Sequence, residues 1–152
     1  MGVETLAEAL EREHHEIDEG LETFTATPAS SGPSAEALYR AIGALRRHIY
    51  LEEEFVFPPM RGGGEFASVI VMLREHGNIW NILDAIEVEV RAGGTAAQLC
   101  HELAIALLHH NSKEERIIYS RVDDVLNATA AGELRTFIDT GEMPPGWVCA
   151  RA

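Results

Sequence analysis

Displaced by 62 positions, the first half of this sequence falls on the second without a gap. Arg12-Glu13-His14 meets Arg74-Glu75-His76, Ile17 meets Ile79, and Leu21 meets Leu83. Further along, Gly32 meets Gly94, Ala35 meets Ala97, Leu45 meets Leu107, His48 meets His110, and Glu52-Glu53 meets Glu114-Glu115. Such a chain is confined to folds made of two like units, each of which buries its apolar face against the other.

Each unit reads as a helical hairpin. Apolar residues recur at helical spacing through four long segments, with almost no strand alternation. The first segment runs from Thr5, which opens a Thr-Leu-Ala-Glu capping box, to Thr27, and the loop Pro28 to Pro33 ends it. The second starts after Ser34 as N-cap and continues to Phe57, where Pro58-Pro59 is expected to stop it. The third runs from Glu65 to Arg91 and ends at Gly93-Gly94. The fourth opens on a second capping box, Thr95 to Gln98, and runs to Leu126. A shorter amphipathic piece, Ala130 to Asp139, precedes an irregular tail that contains Trp147. The expected class is all-α: an up-down-up-down four-helix bundle built from two tandem hairpins over residues 1–126. Residues 127–152 are expected to form a short C-terminal helix and tail packed on that bundle.

The repeat carries chemistry as well as packing. A His on the first helix of each hairpin, and a His and a Glu four apart on the second, recur at one constant offset: His14, His48 and Glu52, then His76, His110 and Glu114. Residues four apart lie about 40° from each other around a helix and one turn along it, so each His-Glu pair reaches one point in the core. Six polar groups in so small a core are costly without a compensating partner, and a metal site is the natural one. Imidazole and carboxylate without thiolate suit iron or manganese, and two carboxylates from opposite helices suit a dinuclear centre. The two cysteines, Cys100 and Cys149, are not spaced as a metal motif, and Cys100 reads as a core residue. His15, His101 and His109 read as surface histidines, Asp18 as a solvated helix residue, Glu53, Glu54 and Glu115 as a charged outer face, and Trp80 as core packing. Ala41, Ala44, Ala104 and Ala106 are small residues near the ligands that would leave room for a diatomic or simply let the helices approach closely.

Together these motifs resemble the hemerythrin-like, or HHE cation-binding, family: a His on the first helix, His-x-x-x-Glu on the second, a His on the third, and a His with a carboxylate on the fourth. The resemblance covers residues 6–120, and Glu53-Glu-Phe-Val-Phe57-Pro58 is similar to the family's acidic-then-Phe-Pro ending. It implies two iron ions, Fe2+ or Fe3+, held by the six residues and bridged by Glu52, Glu114 and an oxo or hydroxo group. Two departures separate the chain from the oxygen carriers of the family. Trp80 stands where they have a second third-helix His, and Glu114 follows His110 at four residues rather than an Asp at five. One imidazole fewer implies an open position on both irons unless Asp18, Glu53 or one of the tyrosines supplies a further ligand. That favours a catalase- or peroxidase-like oxidoreductase acting on hydrogen peroxide or nitric oxide, with reversible dioxygen binding or sensing, or iron buffering, as the alternative and a structural zinc bundle as a third reading.

The formal net charge of -13 argues against nucleic acid and anionic membrane surfaces as partners; the small diatomic or peroxide ligands are what the resemblance implies. No apolar run reaches the roughly 20 residues of a bilayer span, and the sequence reads as a cytoplasmic protein compatible with a monomer.

Overall fold

The computed structural model describes residues 2–152. The protein is all-α, with no strand among the described residues. Its helices are α1 (Leu6–Ala26), α2 (Gly32–Leu51), α3 (Phe57–Gly62), α4 (Phe66–Arg91), α5 (Ala97–Glu114), α6 (Ser120–Val125) and α7 (Ala128–Thr140). A π-helical turn, Glu52–Val56, joins α2 to α3, and a second, Glu115–Tyr119, joins α5 to α6. Each of these pairs is thus one continuous rod, and the described residues form five rods.

The starts and stops follow local chemistry. Thr5 caps α1 with the full capping box: its hydroxyl accepts from the Glu8 N–H, and the Glu8 carboxylate accepts from the Thr5 N–H. At α2 the N-cap is Ser31 rather than Ser34, so Pro33 falls in the first turn, where its missing N–H costs nothing. Pro58-Pro59 does not end the second rod. The π turn widens the helix just before them and places them at the first positions of α3, where amide donors are not needed. Thr95 forms no cap, because Ala96 takes a left-handed conformation (φ 51°) and serves as the N-cap of α5. At α7 the Asn127 side chain accepts from the Ala130 N–H.

Apolar stripes meet in two clusters. One gathers Leu10, Leu51, Met72, Val122 and Phe137, and the other gathers Ile17, Leu45, Ile79, Leu83 and Leu107. Each of the four long rods passes from one cluster to the other, and at the crossing of each sits one histidine: His14 between Leu10 and Ile17, His48 between Leu45 and Leu51, His76 between Leu73 and Ile79, and His110 between Leu107 and Ile118. The polar groups therefore form one layer between two apolar ones, and α7 with the tail closes against the outside. Replacing the fully buried Leu83 by Ala is expected to cost about 2–5 kcal/mol. Replacing the exposed Val88 should change stability by less than about 0.5 kcal/mol in the same chemical denaturation experiment.

Candidate metal centre

His14, His48, Glu52, His76, His110 and Glu114 converge in that central layer, and none is more than 3% exposed. Two groups share the carboxylates: His14, His48, Glu52 and Glu114 on one side, and Glu52, His76, His110 and Glu114 on the other, with the donor atoms of each group within 4.8 Å of one another. The Nε2 atoms point inward. Nε2 of His14 lies 3.1 Å from Glu114 Oε1, that of His110 3.2 Å from Glu114 Oε2, and that of His76 3.3 Å from Glu52 Oε1. Glu52 Oε1, Glu114 Oε2 and His76 Nε2 are buried and have no hydrogen-bond partner. Three orphaned donor atoms aimed at one place fit a bound cation, since a buried polar atom left unsatisfied costs about 1–3 kcal/mol.

The outward nitrogens are equally ordered. The Nδ1–H of His48 donates to Glu13 (2.8 Å), that of His110 to Glu75 (3.0 Å), that of His76 to Glu53 (2.8 Å) and that of His14 to Glu115 (3.1 Å). These four carboxylates are two repeat pairs, Glu13 with Glu75 and Glu53 with Glu115. Each fixes a ring so that Nε2 faces the centre, the arrangement typical of metal-bound histidine. The assignment of Glu53 and Glu115 to an outer face is therefore corrected; of that run only Glu54 is exposed. Glu13 is further held by Arg47, and Glu75 by Lys113.

One functional group escapes the sequence pattern. The Tyr119 hydroxyl lies 2.7 Å from Glu52 Oε2, 2.9 Å from Glu114 Oε1, 2.9 Å from His48 Nε2 and 3.0 Å from His14 Nε2. Its repeat mate is Phe57, whose ring stacks on His76 at 5.4 Å, as Tyr119 stacks on His14 at 5.3 Å. Both residues are five after a central carboxylate. In an α-helix that is about 140° around the axis. The π turns return them to the carboxylate's face, as such turns often do at functional sites. The two halves are thus unequal: an oxygen donor stands on one side and a hydrocarbon ring on the other, where the sequence led us to expect two equally open positions.

The remaining candidates lie elsewhere. Trp80 is buried against Trp147 and under the Arg46 guanidinium, which is packing. His15, His101 and His109 are exposed. Ala44 is exposed, and Ala104 lines the cleft between α1 and α5. Asp18 is half-buried, on a cleft of about 500 Å³ between α1 and α5 that reaches His14 and Glu115.

Electrostatics without a cation are strained. Burial and the charge of Glu114 raise Glu52 well above the carboxylate range. Burial acts the same way on Glu114, but the neighbouring His110 and His14 outweigh it and hold that carboxyl well below the range. Burial pulls His14 and His110 down, yet their hydrogen bonds to and attraction for Glu114 lift both to about 9. Burial with the two carboxylates also drives Tyr119 far up.

The chain matches the hemerythrin HHE cation-binding domain over residues 5–122, and it belongs to that family. Comparison with curated proteins and with solved structures gave no match.

A pH dependence follows with a definite sign. His14 and His110 carry protons below about pH 9, and a cation must displace them. Apparent metal affinity is expected to rise with pH up to about 9 and then level, with protons released on uptake at pH 7; a dye in weak buffer reads the release. Glu52→Gln, which mimics the protonated carboxyl of the metal-free protein, should leave metal-free thermal stability equal or higher. The same variant should abolish the stabilisation that added metal gives the parent.

Proposed function

We propose that this chain is a di-iron protein whose centre, enclosed in an up-down-up-down bundle, decomposes hydrogen peroxide. The observation that carries the reading is the convergence of four inward Nε2 atoms and two shared carboxylates on orphaned buried donors. His14 and His48 would hold one iron, His76 and His110 the other, with Glu52 and Glu114 between them. Imidazole, carboxylate and phenol without thiolate suit iron. A bound iron pair supplies two-electron redox chemistry, and dismutation of two peroxides to two waters and one dioxygen needs no outside donor. Nitric oxide is a second candidate substrate, whose reduction would require an external reductant.

The chain's own groups have separate tasks. The four outward carboxylates hold the imidazoles in the metal-binding tautomer. The two apolar clusters exclude bulk water, and the α1/α5 cleft, ending at the edge of His14, leaves a path sized for small molecules. Tyr119 would offer a further oxygen donor to the His14 side, releasing its proton as the iron binds. The reading includes a cytoplasmic location.

One observation favours the alternative of reversible dioxygen binding. With the Tyr119 hydroxyl on one half and Phe57 on the other, a single side is left for an added ligand, which is what a carrier needs.

Purified iron-loaded protein given peroxide is expected to evolve dioxygen with turnover. A stable, reversible spectral change in air without turnover would favour the carrier. Tyr119→Phe should remove a phenolate-to-iron absorption band while both irons stay bound. Retention of the full iron content by Glu52→Ala and by His110→Ala would refute the ligand set.

A further inference from the structure

The match to the family ends at residue 122, yet the chain beyond it is wired to the centre. The Ala150 N–H donates to Glu53 Oε1 at 3.0 Å, and the other oxygen of the same carboxylate accepts from His76 Nδ1. The tail lies so close on α4 that a Cβ at Gly77 would stand 2.3 Å from the Arg151 carbonyl oxygen. Trp147 meets Trp80 edge to face at 5.5 Å and Tyr50 at 5.0 Å, and Cys149 is buried beside them.

The repeat supplies an internal control. The seam between α2 and α4 is the mate of the seam between α1 and α5: His76 corresponds to His14, Glu53 to Glu115, Gly77 to His15 and Trp80 to Asp18. On the α1/α5 side no segment among the described residues plays the tail's part. A cleft runs there instead, and the Glu115 side chain is 34% exposed where that of Glu53 is 5% exposed. The same carboxylate-imidazole pair is built twice and clamped once. Gly77 is part of the clamp, since no residue with a Cβ fits under the tail there.

We infer that the C-terminal tail, residues 142–152, is a positioning strap for His76: through the Ala150 amide it fixes Glu53, Glu53 fixes the imidazole, and the strap thereby supports one of the two metal positions selectively. The inference rests on the di-iron reading. Loss of an outer partner of a metal-bound histidine typically weakens metal binding about 10- to 100-fold. The strap therefore makes the two positions differ in affinity, by an element outside the family domain.

The test uses the full-length metal-free protein titrated anaerobically with ferrous iron against a competing chelator, with Trp fluorescence reporting the tail. Gly77→Ala improves the intrinsic helix propensity of α4 but drives its Cβ into the tail backbone. Ala150→Pro removes the donating N–H itself. Both are expected to weaken one of the two irons by about tenfold or more and to leave the other unchanged. Glu53→Gln should do the same, and added to either tail variant it should cost little more, because all three break one chain of contacts. Two irons bound with parental affinities in Ala150→Pro, with Trp147 still in place, would overturn the strap while leaving the di-iron reading intact. Equal weakening of both irons would also overturn it. A parent chain that binds no iron would overturn both.

Discussion

Two carboxylates, Glu52 and Glu114, lie side by side in the middle of the protein with no exposed surface. Nothing else in the fold carries so high an intrinsic cost. An isolated buried carboxylate is strongly disfavoured, and a second beside it forces one of the pair to keep its proton. Protonated His14 and His110 offset part of this cost in the metal-free protein. They do so by occupying the donor atoms that a cation would use. Cation binding exchanges those protons for metal charge and satisfies the orphaned oxygens in the same event. The surrounding architecture serves this exchange: two apolar clusters above and below, and one outward carboxylate behind each imidazole.

The duplicated hairpin accounts for the near-symmetry of the centre, and three departures from the repeat account for its direction. Tyr119 replaces Phe57, so one half gains an oxygen donor. Trp80 replaces Asp18 and Gly77 replaces His15, so one seam is filled by tail and the other is an open cleft. A symmetric scaffold thus presents a donor-rich side near solvent and an apolar side under a strap. Arg47 adds a further tie. It donates to the Phe137, Ile138 and Gly141 carbonyls at the end of α7 and to Glu13, which holds His48. Both segments that follow the family domain therefore reach back to a histidine of the centre.

Helical period and the repeat made the rods and the six central residues legible, because both depend on spacing along regular helix. What lay outside the sequence pattern shares one cause. The π turns after Glu52 and Glu114 change the phase of the helix, so side chains that the α period places outside turn inward. Tyr119 was hidden in this way, and Glu53 and Glu115, which the α period leaves on the outer face, are drawn in behind His76 and His14. The signal was nonetheless present: Tyr119 follows Glu114 at the distance by which Phe57 follows Glu52, and the duplicated Glu13 and Glu75 precede each first-helix histidine. Pro58-Pro59 misled for the same reason, since a widened turn accommodates what a regular helix rejects. The contact of Ala150 with Glu53 spans 97 residues and leaves no local trace.

The central claim is that these side chains build one dinuclear centre rather than a set of buried ion pairs. Anomalous diffraction at the iron edge from crystals of the iron-loaded protein tests it most directly. Two iron peaks per chain are predicted, one between His14 and His48 and one between His76 and His110, with Glu52 and Glu114 reaching both. A single peak, or iron bound only at the acidic surface, would contradict it.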